Sequence, residues 1–535
     1  MSESTKKQTF LHGAALLAMA TAVVKLIGAF YKIPLKMVIG DQGYGYFVTA
    51  YDVYSVLLLI STAGLPVAMS RMISQANALG NNNQVRRVYK TARMIFLGLG
   101  LVSSLFMVLG SDWLANEVLM QPNAAYAIAC LGPCALFMGI ISTFRGFFQG
   151  HGKMSPTSMS QVLEACVKLL VGLGLAFVLM NRFNSVPLAA AGAILGVTCS
   201  CLVSAVFLYS KFRPAYRELP HTEDAPLSFG ATAKGLLAIA IPITIGSAGL
   251  QLLTVVEQKL YMSQLLTACG LSQDTADTMK GIYSMTMTIY NMPCAFIVPI
   301  AISVIPAITS HLTLQNNRGV RQTEESAARI AGLISLPCAV GLSLLARPIM
   351  ALLGGYSGEK LELAAKLMTV LGACVFLYAI IQYTNALMQA HGYAYIPVVN
   401  MLLAGVTKLA VVYILVGNPD IGILGAPIGS VLGYTAIAAM NLIAIRRVVP
   451  QKPALLSNLL RPLLPAVIMG VAVFGTHWGL TRLLGPDGSR VLLCGVPILV
   501  GVAVYCLAVV KLKAITREDC QLLPKGDKIA KLLKL

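Results

Sequence analysis

Apolar runs of about 20 residues, each long enough to cross roughly 30 Å of hydrocarbon as a helix, recur along almost the whole chain. Fourteen can be counted, at about 11–31, 45–68, 92–110, 124–147, 157–180, 187–210, 236–262, 281–306, 328–347, 362–388, 397–417, 423–445, 462–483 and 491–511. Composition agrees, since 57% of the 535 residues are hydrophobic and only 11% are charged, far from the usage of soluble domains. The expected fold class is an all-α integral membrane protein. The first run is long and lacks a small-residue cleavage pattern, so it reads as a retained helix rather than a signal peptide.

The net charge of +19 raises the question of a polyanion partner. If the N-terminus is inside, the internal segments hold 27 of the 40 Lys and Arg. That is the positive-inside bias of a bacterial-type plasma membrane protein with both termini cytoplasmic, and it calls for no nucleic acid. The basic tail "KLKAITREDCQLLPKGDKIAKLLKL" reads either as an amphipathic helix near anionic headgroups or as a solvated tail. Twelve cysteines, mostly inside apolar runs and without a CxxC pair, read as free thiols, and no metal site or cofactor is indicated.

The chain also echoes itself. "QGHGKMSPTSMSQVLEACVKLL" at Gln149 returns as "QAHGYAYIPVVNMLLAGVTKLA" at Gln389, "PVAMS" at Pro66 as "PIAIS" at Pro299, and "GAILG" at Gly192 as "GAPIG" at Gly425. "GYFVTAYDVYS" at Gly45 has a weaker counterpart in "GIYSMTMTIYN" at Gly281. The repeat is six helices long, so both copies cross the membrane in the same sense, as parallel repeats. The expected domains are a six-helix lobe over 1–235, a second over 236–450, an extra helix pair over 451–511 and a cytoplasmic tail over 512–535. Matched bundles around a central cavity suit alternating-access transport.

A charge at mid-membrane costs about 2.5–3.5 kcal/mol on insertion scales, so it normally faces a wet cavity or a partner. Lys25, Lys168, Lys259 and Lys408 lie inside the runs and Lys32 at the end of the first, against Asp52, Glu164 and Glu257. Glu164 stands one helical turn before Lys168, so the two can neutralise each other, or Lys168 can meet an external anion. Lys408 has Ala404 at the matching position, which favours an exogenous anion. Asn291, Gln382 and Asn385 add polar candidates, and Arg145, which aligns with Asn385, reads as a substrate-greeting cation or an ordinary positive flank. Pro242, Gly246, Gly249, Pro293 and Pro299 are candidate helix breaks in a flexing gate.

Six plus six plus two spans, "GAFYKIPLKMVIGDQGYGYF" after the first helix, "QGHGKM" after the fourth and the basic loop after "GLPVAMSRMIS" together carry a resemblance. Over about residues 10–510 the chain resembles the polysaccharide transporter branch of the multidrug/oligosaccharidyl-lipid/polysaccharide (MOP) exporter superfamily, and within it the stage V sporulation protein B and MurJ-type lipid II flippases. The resemblance implies movement of an undecaprenyl-pyrophosphate-linked glycan from the inner to the outer leaflet, with the extra helix pair forming a groove for the polyprenyl tail. It also matches cationic residues of the family's first helix to Lys25 and approximately to Lys32. Lysine here replaces the arginine of better-known members and acts as a point charge rather than a bidentate fork.

Two rivals follow from other classes. A multidrug cation antiporter of the same superfamily would favour acidic cavity residues over this excess of lysine. A membrane glycan polymerase would need a carboxylate base or metal ligands beside a substantial loop, and no such loop or catalytic set is present. No Walker sequence is present, which leaves the membrane potential or a coupling cation as drive.

Overall fold

The computed structural model describes the backbone of residues 3–516 and of Asp519, apart from positions 63, 221, 451, 452, 486 and 487. Side chains are described from residue 23, except at certain positions within 25–29, 60–62, 242–250 and 299–307. Among the described residues every regular element is helical. The principal helices are α1 (Glu3–Thr62), α2 (Leu65–Ala78), α3 (Asn82–Leu109), α4 (Ala125–Gly150), α5 (Ser155–Phe183), α6 (Val186–Arg217) and α7 (Phe229–Thr267). They continue with α8 (Gln273–Thr313), α9 (Asn317–Leu344), α10 (Gly358–Ala390), α11 (Tyr395–Val416), α12 (Gly425–Val448), α13 (Leu463–Leu484) and α14 (Arg490–Lys511).

Among the described residues ten helices, α3 to α6 and α9 to α14, are long and apolar enough to cross a membrane. The other four apolar runs of the sequence fall within α1 and the start of α2, α7 and α8. Burial has the sense that a hydrocarbon solvent requires. On α3 the large apolar Leu101, Val102, Leu105 and Phe106 are exposed, whereas Thr91, Ser103 and Ser104 are buried. In water this arrangement would forfeit the hydrophobic effect; in lipid it leaves the polar groups among protein partners.

The first two apolar runs are not separated by a loop. α1 continues from one into the other across a kink at Gly40, whose φ of 72° and ψ of −175° interrupt the helical geometry. Beside the kink Lys36 Nζ and Asp41 Oδ1 form a buried ion pair at 3.2 Å. α7 and α8 also run on as single helices past the proline and glycine positions expected to break them. Of those positions, the side chains of Pro242 and Pro299 lie outside the described residues.

The Gln-x-His-Gly echo has a structural reason. Gly152 and Gly392 each take a positive φ, 71° and 84°, just past the ends of α4 and α10. In both copies the glycine N–H donates back to the glutamine carbonyl, Gln149 at 2.9 Å and Gln389 at 3.0 Å. The following amide, Lys153 or Tyr393, donates to the carbonyl of Phe148 or Met388. These are Schellman-type stops that satisfy orphan carbonyls at a helix end, and glycine adopts the left-handed turn without a Cβ penalty. The histidines diverge: His151 Nδ1 lies 2.8 Å from the Phe147 carbonyl oxygen, whereas the buried His391 places Nε2 2.7 Å from Glu324 Oε1.

By contacts the chain divides into two compact units, Met1–Ser284 and Met285–Leu535. The lobe division at 235/236 remains a proposal read from the repeat. In the first unit the segment after α6 folds back on the start of α3, where Asp224 accepts from the Asn83 and Gln84 amides at 3.1 and 2.9 Å. Thr222 Oγ1 accepts from the Asn82 amide at 3.1 Å, and Arg86 Nη2 donates to the Leu219 carbonyl at 2.6 Å. These contacts cap α3, whose first N–H groups have no partner within the helix.

The second unit is cored by Tyr383, Leu387 and Met388 of α10 against Ala327 and Ala331 of α9 and Ile437, Ala438 and Ile445 of α12. Within it the buried Asn441 amide donates to Thr384 Oγ1 at 3.0 Å and to Asn385 Oδ1 at 2.9 Å, and accepts from Asn400 at 2.8 Å. A second buried set docks the chain after α14. Arg329 on α9 pairs with Asp519 at 2.9 Å and donates to Asn458 Oδ1 at 2.7 Å. Ala514 and Ile515 are buried beside it. The start of the basic tail is therefore held by protein rather than solvated, while residues 520–535 lie outside the described residues.

Candidate functional site

The polar site of the first unit is assembled by close approach of α8 to α1. A Cβ added at Gly281 would fall 1.8 Å from the Asp41 carbonyl oxygen, so only glycine permits this crossing. Gly45, its echo in the repeat, lies at the same contact, where an added Cβ would be 3.4 Å from the Gly281 nitrogen. The crossing brings Asp277 and Lys280 against the second half of α1.

Lys280 is the hub. Its Nζ lies 3.7 Å from Asp52 Oδ2, donates to Gln258 Oε1 at 3.0 Å, and stands 5.3 Å from the centre of the Tyr261 ring. Gln258 in turn donates to Thr49 Oγ1 at 2.9 Å, and Thr49 donates to Gln121. Asp277 accepts from Gln121 and Tyr46, each at 2.9 Å, and from Gln273 at 3.0 Å. Each carboxylate is thus met by a cation or by several donors, as a low-dielectric site demands.

A second cluster lies between α4, α5 and the first half of α1. Arg145 on α4 reaches Glu164 Oε2 at 3.1 Å and donates through Nε to Ser160 Oγ at 3.1 Å. The intrahelical Glu164–Lys168 pair is therefore not what engages Glu164. Lys168 instead places its Nζ 5.8 Å from the centre of the Tyr31 ring. Lys32 is within electrostatic reach of both Lys168 and Asp52. Among the described residues neither Lys32 nor Lys168 has a carboxylate at ion-pair distance.

The remaining sequence candidates are dispersed. Glu257 is buried and within reach of the Lys280 and Asp52 charges, whereas Lys259, two residues on, is exposed on another face of α7. The side chain of Lys25 lies outside the described residues. In the second unit Asn291 is exposed and Asn385 belongs to the Asn441 network. Lys408 stands 6.0 Å from the Tyr434 ring centre, its stem running against Gly433. Gln382 donates to the Tyr378 hydroxyl at 2.8 Å. Sequence reading missed Lys280, Gln258, Gln121, Thr49 and Asp277. The available signal was Lys280 itself, a cation directly before the Gly281 echo.

A family model described as "Polysaccharide biosynthesis protein" matches residues 10–311, more than half of the chain. The chain belongs to that family. Stage V sporulation protein B of Bacillus subtilis (strain 168) is 25% identical over 449 residues, covering 83% of this chain and 85% of that protein. Lipid II flippase MurJ of the same strain is 24% identical over 486 residues, covering 88% of each. A solved structure of lipid II flippase MurJ in an inward closed conformation shares the fold, with a TM-score of 0.68 at 13% identity over 93% of this chain and 99% of that one. This family member is a multi-pass membrane protein of the flippase and transporter kind.

Proposed function

We propose that the protein is a flippase that carries a polyprenyl-pyrophosphate-linked glycan, of the kind represented by lipid II, from the inner to the outer leaflet of a bacterial plasma membrane by alternating access. The observation that carries this reading is the Lys32 and Lys168 pair, two lysines within electrostatic reach of each other and without a carboxylate at ion-pair distance among the described residues. Two such cations repel until an anion joins them. At about 4 Å and an effective dielectric near 20, each lysine–phosphate contact is worth roughly 4 kcal/mol before desolvation. The polyprenyl tail has no need of a polar site and can stay in lipid.

A cation antiporter would hold carboxylates open for its cargo. Here Asp52 is met by Lys280 and Glu164 by Arg145, which favours the anionic reading. Both termini are placed in the cytoplasm by the positive-inside bias, and a coupling cation or the membrane potential supplies the drive. The relatives' names support a lipid-linked cargo.

The test is native mass spectrometry of the purified full-length protein offered lipid II, a lipid-linked capsular precursor and a cationic dye in parallel. Retention of a pyrophosphate-linked lipid that weakens in Lys168→Met and Lys32→Met is the expected result. Retention of the dye alone, or undiminished lipid II binding by both variants, overturns the reading.

A further inference from the structure

A cavity of about 590 Å³ opens between one end of α3, α4 and α6, and shares none of its lining with the lysine site described above. Its inner wall is apolar, formed by Leu97, Phe137, Ile140, Leu202 and Val206. Its rim carries Lys90, Arg93, Arg213 and Arg217, and no carboxylate is among the lining residues. Lys90 and Arg93 are three apart on α3, Arg213 and Arg217 four apart on α6, so each pair projects from one helix face. All four cations are exposed, and among the described residues none is in an ion pair.

The cavity is built, with a floor of packed rings. Tyr89 and Phe212 stack at 4.6 Å, Phe212 meets Phe144 at 4.9 Å and Tyr216 at 5.1 Å, and Arg86 sits 5.5 Å from the Tyr216 ring centre. Depth matters as much as chemistry. Arg93 lies at the start of the apolar run of α3 and Arg213 and Arg217 just beyond that of α6, so the cations stand at headgroup level and the apolar wall at acyl level. Tyr209 and Tyr216, amphipathic rings typical of the membrane interface, mark the same boundary.

We infer that this cavity binds an anionic glycerophospholipid of the leaflet it faces, with the phosphate among Lys90, Arg93, Arg213 and Arg217 and an acyl chain against Leu97, Ile140 and Val206. Basic pockets between membrane helices recognise anionic headgroups in this way, and the volume lies within the ~300–1,000 Å³ of small-molecule sites. Two arginines in the last turns of α6 share the cavity rim with two cations of the N-terminal half of α3. A bound phosphate relieves their mutual repulsion and ties the two helices together.

The test uses the full-length protein in detergent with phosphatidylglycerol or phosphatidylcholine as the probe, read by native mass spectrometry. The parent retains phosphatidylglycerol in preference, and Arg93→Gln/Arg213→Gln/Arg217→Gln weakens that retention about tenfold while phosphatidylcholine is unaffected. Lys168→Met, in the lysine site, leaves it unchanged, which separates this proposal from the flippase reading. A second measurement needs no charge removal: Tyr209→Trp is quenched more by brominated phosphatidylglycerol than by brominated phosphatidylcholine, relative to the parent. Equal retention or equal quenching of the two lipids overturns the proposal. So does displacement of phosphatidylglycerol by lipid II from this cavity in the Lys168→Met protein, which would make the cavity part of the substrate path.

Discussion

Lys280 Nζ stands 3.7 Å from Asp52 Oδ2, joining the first turns of α8 to the second half of α1. Both side chains are largely withdrawn from solvent, 5% and 19% exposed. Removing one partner of a buried pair strands the other, at about 3–5 kcal/mol, whereas replacing both by neutral groups of similar volume is often neutral. Lys280→Met is therefore expected to lower thermal stability in detergent markedly, and Asp52→Asn/Lys280→Met to recover most of the loss. A double variant no more stable than Lys280→Met would show that the pair is not coupled.

Glu164 and Lys168 separate under mutation. Glu164→Gln takes a charged acceptor from Arg145 and is expected to cost about 1.5–3 kcal/mol of stability, read from a denaturation curve. Lys168→Met leaves that pair intact, so stability stays near the parent's while binding of a pyrophosphate-linked lipid weakens. Lys168→Arg recovers part of the binding.

The crossing at Gly281 has no room for a methyl group. Gly281→Ala forces the Asp41 backbone away from α8, and overpacking of this kind costs about 1–3 kcal/mol or more. The expected readout is a lowered melting temperature in detergent. Unchanged stability would mean that α1 and α8 do not approach this closely.

Arg329 and Asp519 lock the chain after α14 to α9, with side chains 9% and 0% exposed. Asp519→Asn leaves Arg329 buried with a weaker acceptor, and a cost approaching the 3–5 kcal/mol of a broken buried pair is expected. Amides at 514–516 should then exchange hydrogen faster. Parent-like protection there would show that Ala514 and Ile515 are held without the ion pair.

Asp224 gives a pH dependence outside the membrane. Partial desolvation pushes its carboxyl up, but hydrogen bonds from Thr222 and from the Asn83 and Gln84 amides outweigh this and hold it below the usual carboxylate range. A depressed carboxyl contributes stability that is present above the unfolded value of about 3.9 and is lost as pH falls through the folded value. Protection of the Asn83 and Gln84 amides should therefore persist at neutral pH and fade only on acidification below about pH 4. In Asp224→Ala it should already be reduced at neutral pH.

The membrane helices were legible in the sequence because they follow from local composition. A run of apolar residues specifies a span wherever it sits, since lipid leaves a backbone no other partner. The Gln-x-His-Gly echo could be seen as text, while its meaning as a helix stop needed the positive φ of Gly152 and Gly392. Which charges meet was decided by tertiary structure alone. Glu164 had a neighbour one turn away in Lys168, yet Arg145, on another helix, presents a planar fork to it across the packed interface. Asp52 finds Lys280 only because Gly281 lets two backbones come together. Spacing along one helix fixes what shares a face, but pairing between helices depends on where small residues allow them to cross, and that is a property of the packed fold.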